Sequence, residues 1–253
     1  CVTWGHPVTT GISTIDYFIS SSLTEPANGG EAYTERLIQL DGFVTPIADP
    51  SNRSLEDNVS EYAKTQRILC PQSLFKFHPT FDALIGKILK HSPNTELILL
   101  HGSHDAWTAR IEARFRRSIP EVLDRVKLEP RTNRVSFMQS IASSQLVLDT
   151  SHFCGGLTTY EALAMETPVV TLPGDYLRSR VSLGLYHKMG LNDCIASDEV
   201  EYIDIAVRLL KDARFKTAVC NGIHKLKHGI FCIQESVDQH AVFFQNVMLG
   251  NEA

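Results

Sequence analysis

The sequence predicts an α/β fold built on a doubly wound, Rossmann-like parallel sheet, and three observations carry that expectation. Apolar runs of strand length alternate with amphipathic runs of helix length from about residue 66 to about residue 211. Repeated βα units of that size imply parallel strands joined by right-handed helical crossovers. The segment LDTSHFCGGLTTYEALAMETPVVTLPG, Leu148 to Gly174, compresses a strand end, a glycine pair, a helix start and a second strand into one stretch. That order is how an open α/β sheet builds a site for anionic oxygens. Finally, the loops at the carboxyl ends of the predicted strands hold the chemically distinctive residues, where ligands of such sheets sit.

The elements follow in order. Arg67 to Cys70 reads as a short strand and Phe81 to His91 as a helix with Leu84, Ile85, Ile88 and Leu89 on one face. Glu96 to Leu100 is a buried strand, Trp107 to Arg117 an arginine-rich helix, Val126 to Leu128 a strand and Val135 to Ser143 a helix. Then come strand Leu146 to Asp149, helix Thr159 to Met165, strand Pro168 to Leu172, helix Leu177 to Met189, a short strand at Cys194 to Ala196 and helix Val200 to Leu210. Two closing helices are expected over Asp212 to Lys227 and Glu235 to Leu249, the second with Val237, Ala241, Phe244 and Met248 at helical spacing. Residues 1 to 50 carry WGHPVTTG, a strand-like IDYFIS and a polar loop ending in AYTERL, and read as the tail of a preceding lobe. Asp49 to Lys64 is the expected linker. The expected division is therefore 1–50, 65–230 and 231–253: remnant, nucleotide-binding lobe and closing helix.

Composition sets the outer limits. With 253 residues, 43% of them hydrophobic, the chain has a core's worth of apolar side chains without disulfide staples. A net charge of -5 with no lysine or arginine run argues against nucleic acid as a partner. The six cysteines are scattered, with no CxxC spacing, which fits reduced thiols in a cytoplasmic compartment. No apolar run approaches the ~20 residues that cross a bilayer, and no signal peptide is visible, so no membrane partner is expected. The chain opens at Cys1 without Met, which reads as a piece of a longer protein.

Gly155 and Gly156 let the backbone approach a ligand, and Thr158 and Thr159 place hydroxyls and free amides at a helix start, where orphan donors and the macrodipole both favour anions. A plainer alternative is a capping box of Thr158 and Glu161 with no ligand. In CPQSLFKFHP, Pro71 and Pro79 bracket a rigid loop from which Lys76 can meet a pyrophosphate as a compact cation. In EPRTNRVSF, the backbone near Thr132, the cation Arg134 and the ring of Phe137 could hold a base, and Glu161 could accept from ribose hydroxyls. His101 with His104, and His224 with His228, lack further ligands nearby, so no metal site is expected. No DxD pair stands in a suitable loop, and Asp149, Asp193 and Asp198 are scattered.

These segments, with YLRSRV and YHKMGLNDCIA, resemble the catalytic region of the protein O-GlcNAc transferase family, in the SPINDLY-like, tetratricopeptide-linked branch. The resemblance implies the C-terminal nucleotide-binding lobe of a GT-B glycosyltransferase plus a remnant of the N-terminal lobe. It implies an inverting, metal-independent enzyme that needs no cofactor and moves GlcNAc from the donor UDP-GlcNAc to Ser or Thr hydroxyls of a protein acceptor, with the rest of the N-terminal lobe and tetratricopeptide repeats upstream in the same chain. By position, Lys76 would meet the diphosphate beside Gln72 and Ser73. Thr132 and Arg134 would face uracil, Phe137 would stack near it, Gly155, Gly156, Leu157, Thr158 and Thr159 would cover the phosphates, and Glu161 would bind ribose. His6, Thr9 and Thr10 would lie near the sugar, with His6 a candidate base. The chain departs from the pattern at Leu157, where relatives carry a polar residue, and at Glu166, where glycine is frequent. A protein N-glucosyltransferase, a UDP-sugar epimerase and a non-catalytic UDP-sugar-binding module remain alternatives.

Overall fold

The computed structural model describes residues 1–52, 66–231 and 234–250. All of the expected linker beyond Asn52 lies outside the described residues, as do Cys232 and the last three residues of the expected closing helix.

The main sheet is formed by β4 (Gln66–Cys70), β5 (Thr95–Leu100), β6 (Val126–Glu129), β7 (Leu146–Leu148) and β8 (Val169–Val170), numbered after three N-terminal strands. Its order is β6-β5-β4-β7-β8 and every pair is parallel. Ile68, Leu69, Leu97, Leu99, Leu146 and Leu148 are buried completely, as both-face coverage by helices demands. The expected strand Pro168 to Leu172 contracts to two paired residues. The one expected at Cys194 to Ala196 survives as a single parallel bridge, Thr171 to Ile195, because the chain turns at once into the helix that begins at Glu199. β4 and β7 are neighbours whose following connections run to opposite sides of the sheet, and this is the switch point where a crevice opens.

The helices are α1 (Pro79–His91), α2 (Asp105–Ser118), α3 (Arg134–Ser143), α4 (Leu157–Ala164), α5 (Val181–Met189), α6 (Glu199–Lys211), α7 (Ala213–Leu226) and α8 (Gln234–Met248). Side-chain caps fix several starts. Asn133 accepts from Ser136 N–H, Asp198 from Glu201 N–H and Asp212 from Phe215 N–H. The expected helix Leu177 to Met189 is broken into a turn, Leu177–Ser179, and α5. Arg180 explains the break: it sits at the junction, with Nε donating to Thr24 O and Nη1 to Gly174 O at 2.8 and 3.0 Å.

Residues 1 to 52 contain a second parallel sheet, β1 (Val2–Thr3), β2 (Tyr17–Ser21) and β3 (Arg36–Leu40), in that spatial order. β3 begins inside the stretch read as a polar loop, because only part of its RLIQL alternation is buried. Helix α8 covers this sheet through Phe243, which packs with Ile19, Leu40 and Val44 and meets the Tyr17 ring edge-on at 5.3 Å. The stripe expected to be buried is corrected here: Val237, Ala241, Phe244 and Met248 are exposed, and the inward positions are Ser236 and Phe243. Ser236 Oγ donates to the carbonyl of Phe43, which rotates the helix by about one residue from the purely hydrophobic choice. Among the described residues, no helix is long and apolar enough to cross a membrane.

Glu166 is the one described non-glycine residue with positive φ, at 60°. That conformation is natural for glycine and costs about 1–2 kcal/mol for a residue with a Cβ. Its carboxylate offsets part of this by accepting from the buried Lys227 and from His224, both at 2.8 Å. Burial opposes its ionisation, but these two partners prevail and hold its pKa below the usual carboxylate value.

Candidate active site

The two loops at the switch point close on one another. Lys76 leaves the short turn Leu74–Lys76 after β4, and its Nζ donates to the Cys154 carbonyl at 2.8 Å and to Gln72 Oε1 at 3.1 Å. Gln72 Nε2 in turn donates to Thr158 Oγ1 at 2.9 Å. Lys76, Gln72, the glycine loop and the first turn of α4 thus form one hydrogen-bonded unit. Ser73 contributes its carbonyl, which accepts Lys76 N–H at 2.9 Å and shapes the turn. The ammonium lies 4.2 Å from the centroid of the Phe153 ring, and among the described residues its hydrogen-bond partners are neutral oxygens. Burial lowers its pKa from the ordinary lysine value, while the carboxylate of Asp149 pulls the other way.

The capping box does not form. Gly156 occupies the N-cap of α4 with no side-chain cap, so the helix start is not closed by its own residues. Glu161 is instead held by Arg134, whose Nη1 donates to its Oε1 at 2.8 Å. Burial raises the pKa of Glu161, with Arg134 partly offsetting it. Arg134 and Glu161, expected on base and ribose, are therefore joined to each other on one wall of the crevice. Phe137 is half-buried against the core, and Thr132 is exposed in the loop before the Asn133 cap.

Gly155 is required by close packing. A Cβ there would lie 2.5 Å from Thr159 Oγ1, 2.6 Å from Gln72 Nε2 and 2.7 Å from Thr158 Oγ1. At Gly156 a Cβ would come within 2.9 Å of the Trp4 ring, which brings the WGHPVTTG segment against the glycine loop. The two threonines diverge: Thr158 turns to Gln72, whereas Thr159 is buried and shares a 2.9 Å hydrogen bond with Ser182 Oγ. Leu157 is the first residue of α4 and is 49% exposed. His6 is exposed, its N–H bonded to Thr3 O at 3.0 Å. Thr9 and Thr10 both donate to the carboxylate of Glu35, and Thr9 also lines a cavity of about 270 Å³ facing Tyr176 and Arg178.

One residue that sequence reasoning set aside organises the loop from below. Asp149, fully buried at the end of β7, accepts from Gly155 N–H at 2.6 Å through Oδ1, and from Thr171 Oγ1 at 2.9 Å and Ser182 Oγ at 2.6 Å through Oδ2. Burial raises its pKa, and those three hydrogen bonds counter the shift. The signal was present as a lone carboxylate ending the apolar run LVL, six residues before the first glycine. Two histidines, His78 at the N-cap of α1 and His152 in the glycine loop, stack at 4.1 Å and were not anticipated at all.

A parallel sheet of this order, with a lysine loop and a glycine-threonine helix start meeting at its switch point, has the architecture of the nucleotide-binding lobe of GT-B glycosyltransferases. Residues 64–241 match the model of glycosyl transferase family 41, and the chain belongs to that family. It is 29% identical over 221 residues to the probable UDP-N-acetylglucosamine--peptide N-acetylglucosaminyltransferase SPINDLY of Petunia hybrida, covering 83% of this chain and 23% of that protein. The chain thus spans about a quarter of the length of such relatives. Among solved structures, a point mutant of the Thermobaculum terrenum O-GlcNAc transferase superposes with a TM-score of 0.79 at 25% identity, over 96% of this chain and 47% of that one. HepE of Anabaena, solved with UDP and glucose, shares the fold at 14% identity with a TM-score of 0.62, over 91% of this chain and 63% of its own.

Proposed function

We propose that this chain carries the donor site of an inverting, metal-independent glycosyltransferase that moves GlcNAc from UDP-GlcNAc to serine or threonine hydroxyls of proteins, in a reducing cytoplasmic compartment. The observation that supports it most directly is the junction of Lys76, Gln72, Cys154 and Thr158 at the switch point of a family 41 fold. The names of the relatives supply the sugar and the protein acceptor.

In this reading the acceptor hydroxyl attacks the anomeric carbon as the bond to the diphosphate oxygen breaks, and charge accumulates on the leaving UDP. Lys76 exchanges its neutral partners for phosphate oxygens, and the uncapped amides at the start of α4 add fixed donors without reorganisation. Asp149 holds Gly155 so that those amides keep their direction. The Arg134–Glu161 pair opens toward the nucleoside, Glu161 to the ribose and Arg134 with Thr132 and Phe137 to the uracil. His6, Thr9 and Thr10 stand on the sugar side.

Calorimetry with UDP and with uridine tests the placement. Lys76→Ala should weaken UDP by about 1.5–3 kcal/mol, the value of a hydrogen bond to a charged group, and leave uridine nearly unchanged. Equal losses for both ligands would remove Lys76 from the diphosphate. A non-catalytic UDP-binding module is favoured by the apolar, exposed Leu157 at the helix start. It would be recognised by UDP binding without transfer of labelled GlcNAc to any protein acceptor.

A further inference from the structure

Beside the donor crevice lies a groove that the donor reading does not use. It has a volume of about 330 Å³ and is lined by Phe75, Trp107, Arg110 and Arg114 above a floor of Leu74 and Ile111. Phe75 is 61% exposed, although it sits on the rigid turn next to Lys76. Its ring meets Trp107 edge-on at 5.6 Å on one side and Phe153 at 6.2 Å on the other. Phe153 is the ring that faces the Lys76 ammonium. Trp107, Phe75, Phe153 and Lys76 therefore form a continuous ladder from the groove to the donor cation, with centroid spacings in the range of favourable edge-to-face pairs.

The charge at the outer end is one-sided. Arg114 is committed, bidentate to the buried Asp82 and bonded to the Phe77 carbonyl, so it fixes the wall. Arg110, one helical turn earlier on α2, lines the groove, is exposed, and has no ion pair among the described residues. An exposed ring flanked by an uncommitted guanidinium recognises an apolar side chain with a carboxylate nearby. One arginine without an ion pair among the described residues of the groove, on a chain of net charge -5, is too little for a phosphate backbone.

We infer that this groove docks a polypeptide segment bearing an acidic residue next to an aromatic or aliphatic one, Arg110 taking the carboxylate and Phe75 with Trp107 taking the apolar side chain. Charge complementarity selects that occupant. Because the ladder ends at Lys76, the bound segment belongs to the acceptor, and that assignment alone rests on the proposed function.

The probe is a random copolymer of glutamate and tyrosine, with a lysine–tyrosine copolymer as the control, titrated against the 253-residue chain by calorimetry. The glutamate copolymer should bind and the lysine copolymer should not. Arg110→Glu should weaken binding about tenfold or more, as should Phe75→Ala, a change at an exposed ring that leaves the core intact. UDP affinity should be the same in Arg110→Glu, so failure here is distinguishable from failure of the donor site. In the full-length enzyme, Arg110→Glu should raise KM for acidic acceptors and leave kcat unchanged. Equal binding of the two copolymers, unchanged binding by Arg110→Glu, tighter binding of a single-stranded oligonucleotide, or self-association that Phe75→Ala abolishes would each overturn the inference.

Discussion

Replacing Gly155 by alanine puts a methyl group into space that three polar side chains already occupy, at 2.5, 2.6 and 2.7 Å. Contacts that short do not occur at real Cβ atoms, so something must move. Thr159 is pinned to Ser182 in the buried core, which leaves Gln72 and Thr158 to yield. Their mutual hydrogen bond is the bridge between the two ligand loops. Overpacking of this kind costs about 1–3 kcal/mol and the lost hydrogen bond about 1 kcal/mol more, for a total of about 2–4 kcal/mol. For a domain of this size that is a fall in Tm of roughly 5–15 °C. Thermal denaturation measures it, and calorimetry should show a parallel loss of UDP affinity. Gln72→Ala in the same chain removes one obstacle, so the double variant should lose less stability than the sum of the singles, by about 0.5–3 kcal/mol. A Gly155→Ala protein with wild-type Tm and wild-type UDP affinity would refute the packing described for this loop.

Leu157→Thr restores a hydroxyl at the first turn of α4 and should tighten UDP about tenfold, the worth of one hydrogen bond to a charged group; calorimetry reads it, and no change would mean that residue 157 does not face phosphate. At position 166, where φ is positive, both Glu166→Ala and Glu166→Gly strip the carboxylate from Lys227, but only glycine relieves the backbone. The alanine variant should therefore be less stable than the glycine variant by about 1 kcal/mol in urea melts, and equal stability would contradict the assigned conformation. The carboxyl of Glu35 is pulled down to about 2, burial opposing and the hydrogen bonds of Thr10 and Thr9 prevailing. A depressed carboxylate contributes stability that is complete above its unfolded value of 4.5 and is lost as pH falls from there toward 2. Acid titration of Glu35→Gln should lack that part of the slope, and identical slopes for the two proteins would show that the shift is absent.

The parallel, doubly wound character of the main sheet was legible because βα alternation is written in residue periodicity, whereas the strand order comes from the structure. The convergence of Lys76 and Thr158 followed from topology too, since both loops open at the same strand ends. What periodicity could not reveal were interactions set by single side chains across long sequence distances. The rotation of α8 depends on one serine reaching the Phe43 carbonyl, and hydrophobic spacing alone pointed to the face one residue further on. The break before α5 depends on Arg180 finding two carbonyls, one of them 156 residues away. Asp149 reads in the sequence as no more than a strand end because its three partners come from three separate segments. β3 escaped notice because a half-exposed strand at the border of a small sheet carries few β-branched residues and a charged start.

Tyr202 lies in the first turn of α6, and its hydroxyl donates to the backbone carbonyl of Asp149 at 2.8 Å. The residue whose carboxylate sculpts the glycine turn is thus braced at its main chain by a phenol 53 positions further along, on a separate helix. Substitutions at that phenol should surface as altered donor affinity, far from any ligand. In a screen for impaired variants, such a hit would look remote on the map while being a direct neighbour of the turn's foundation.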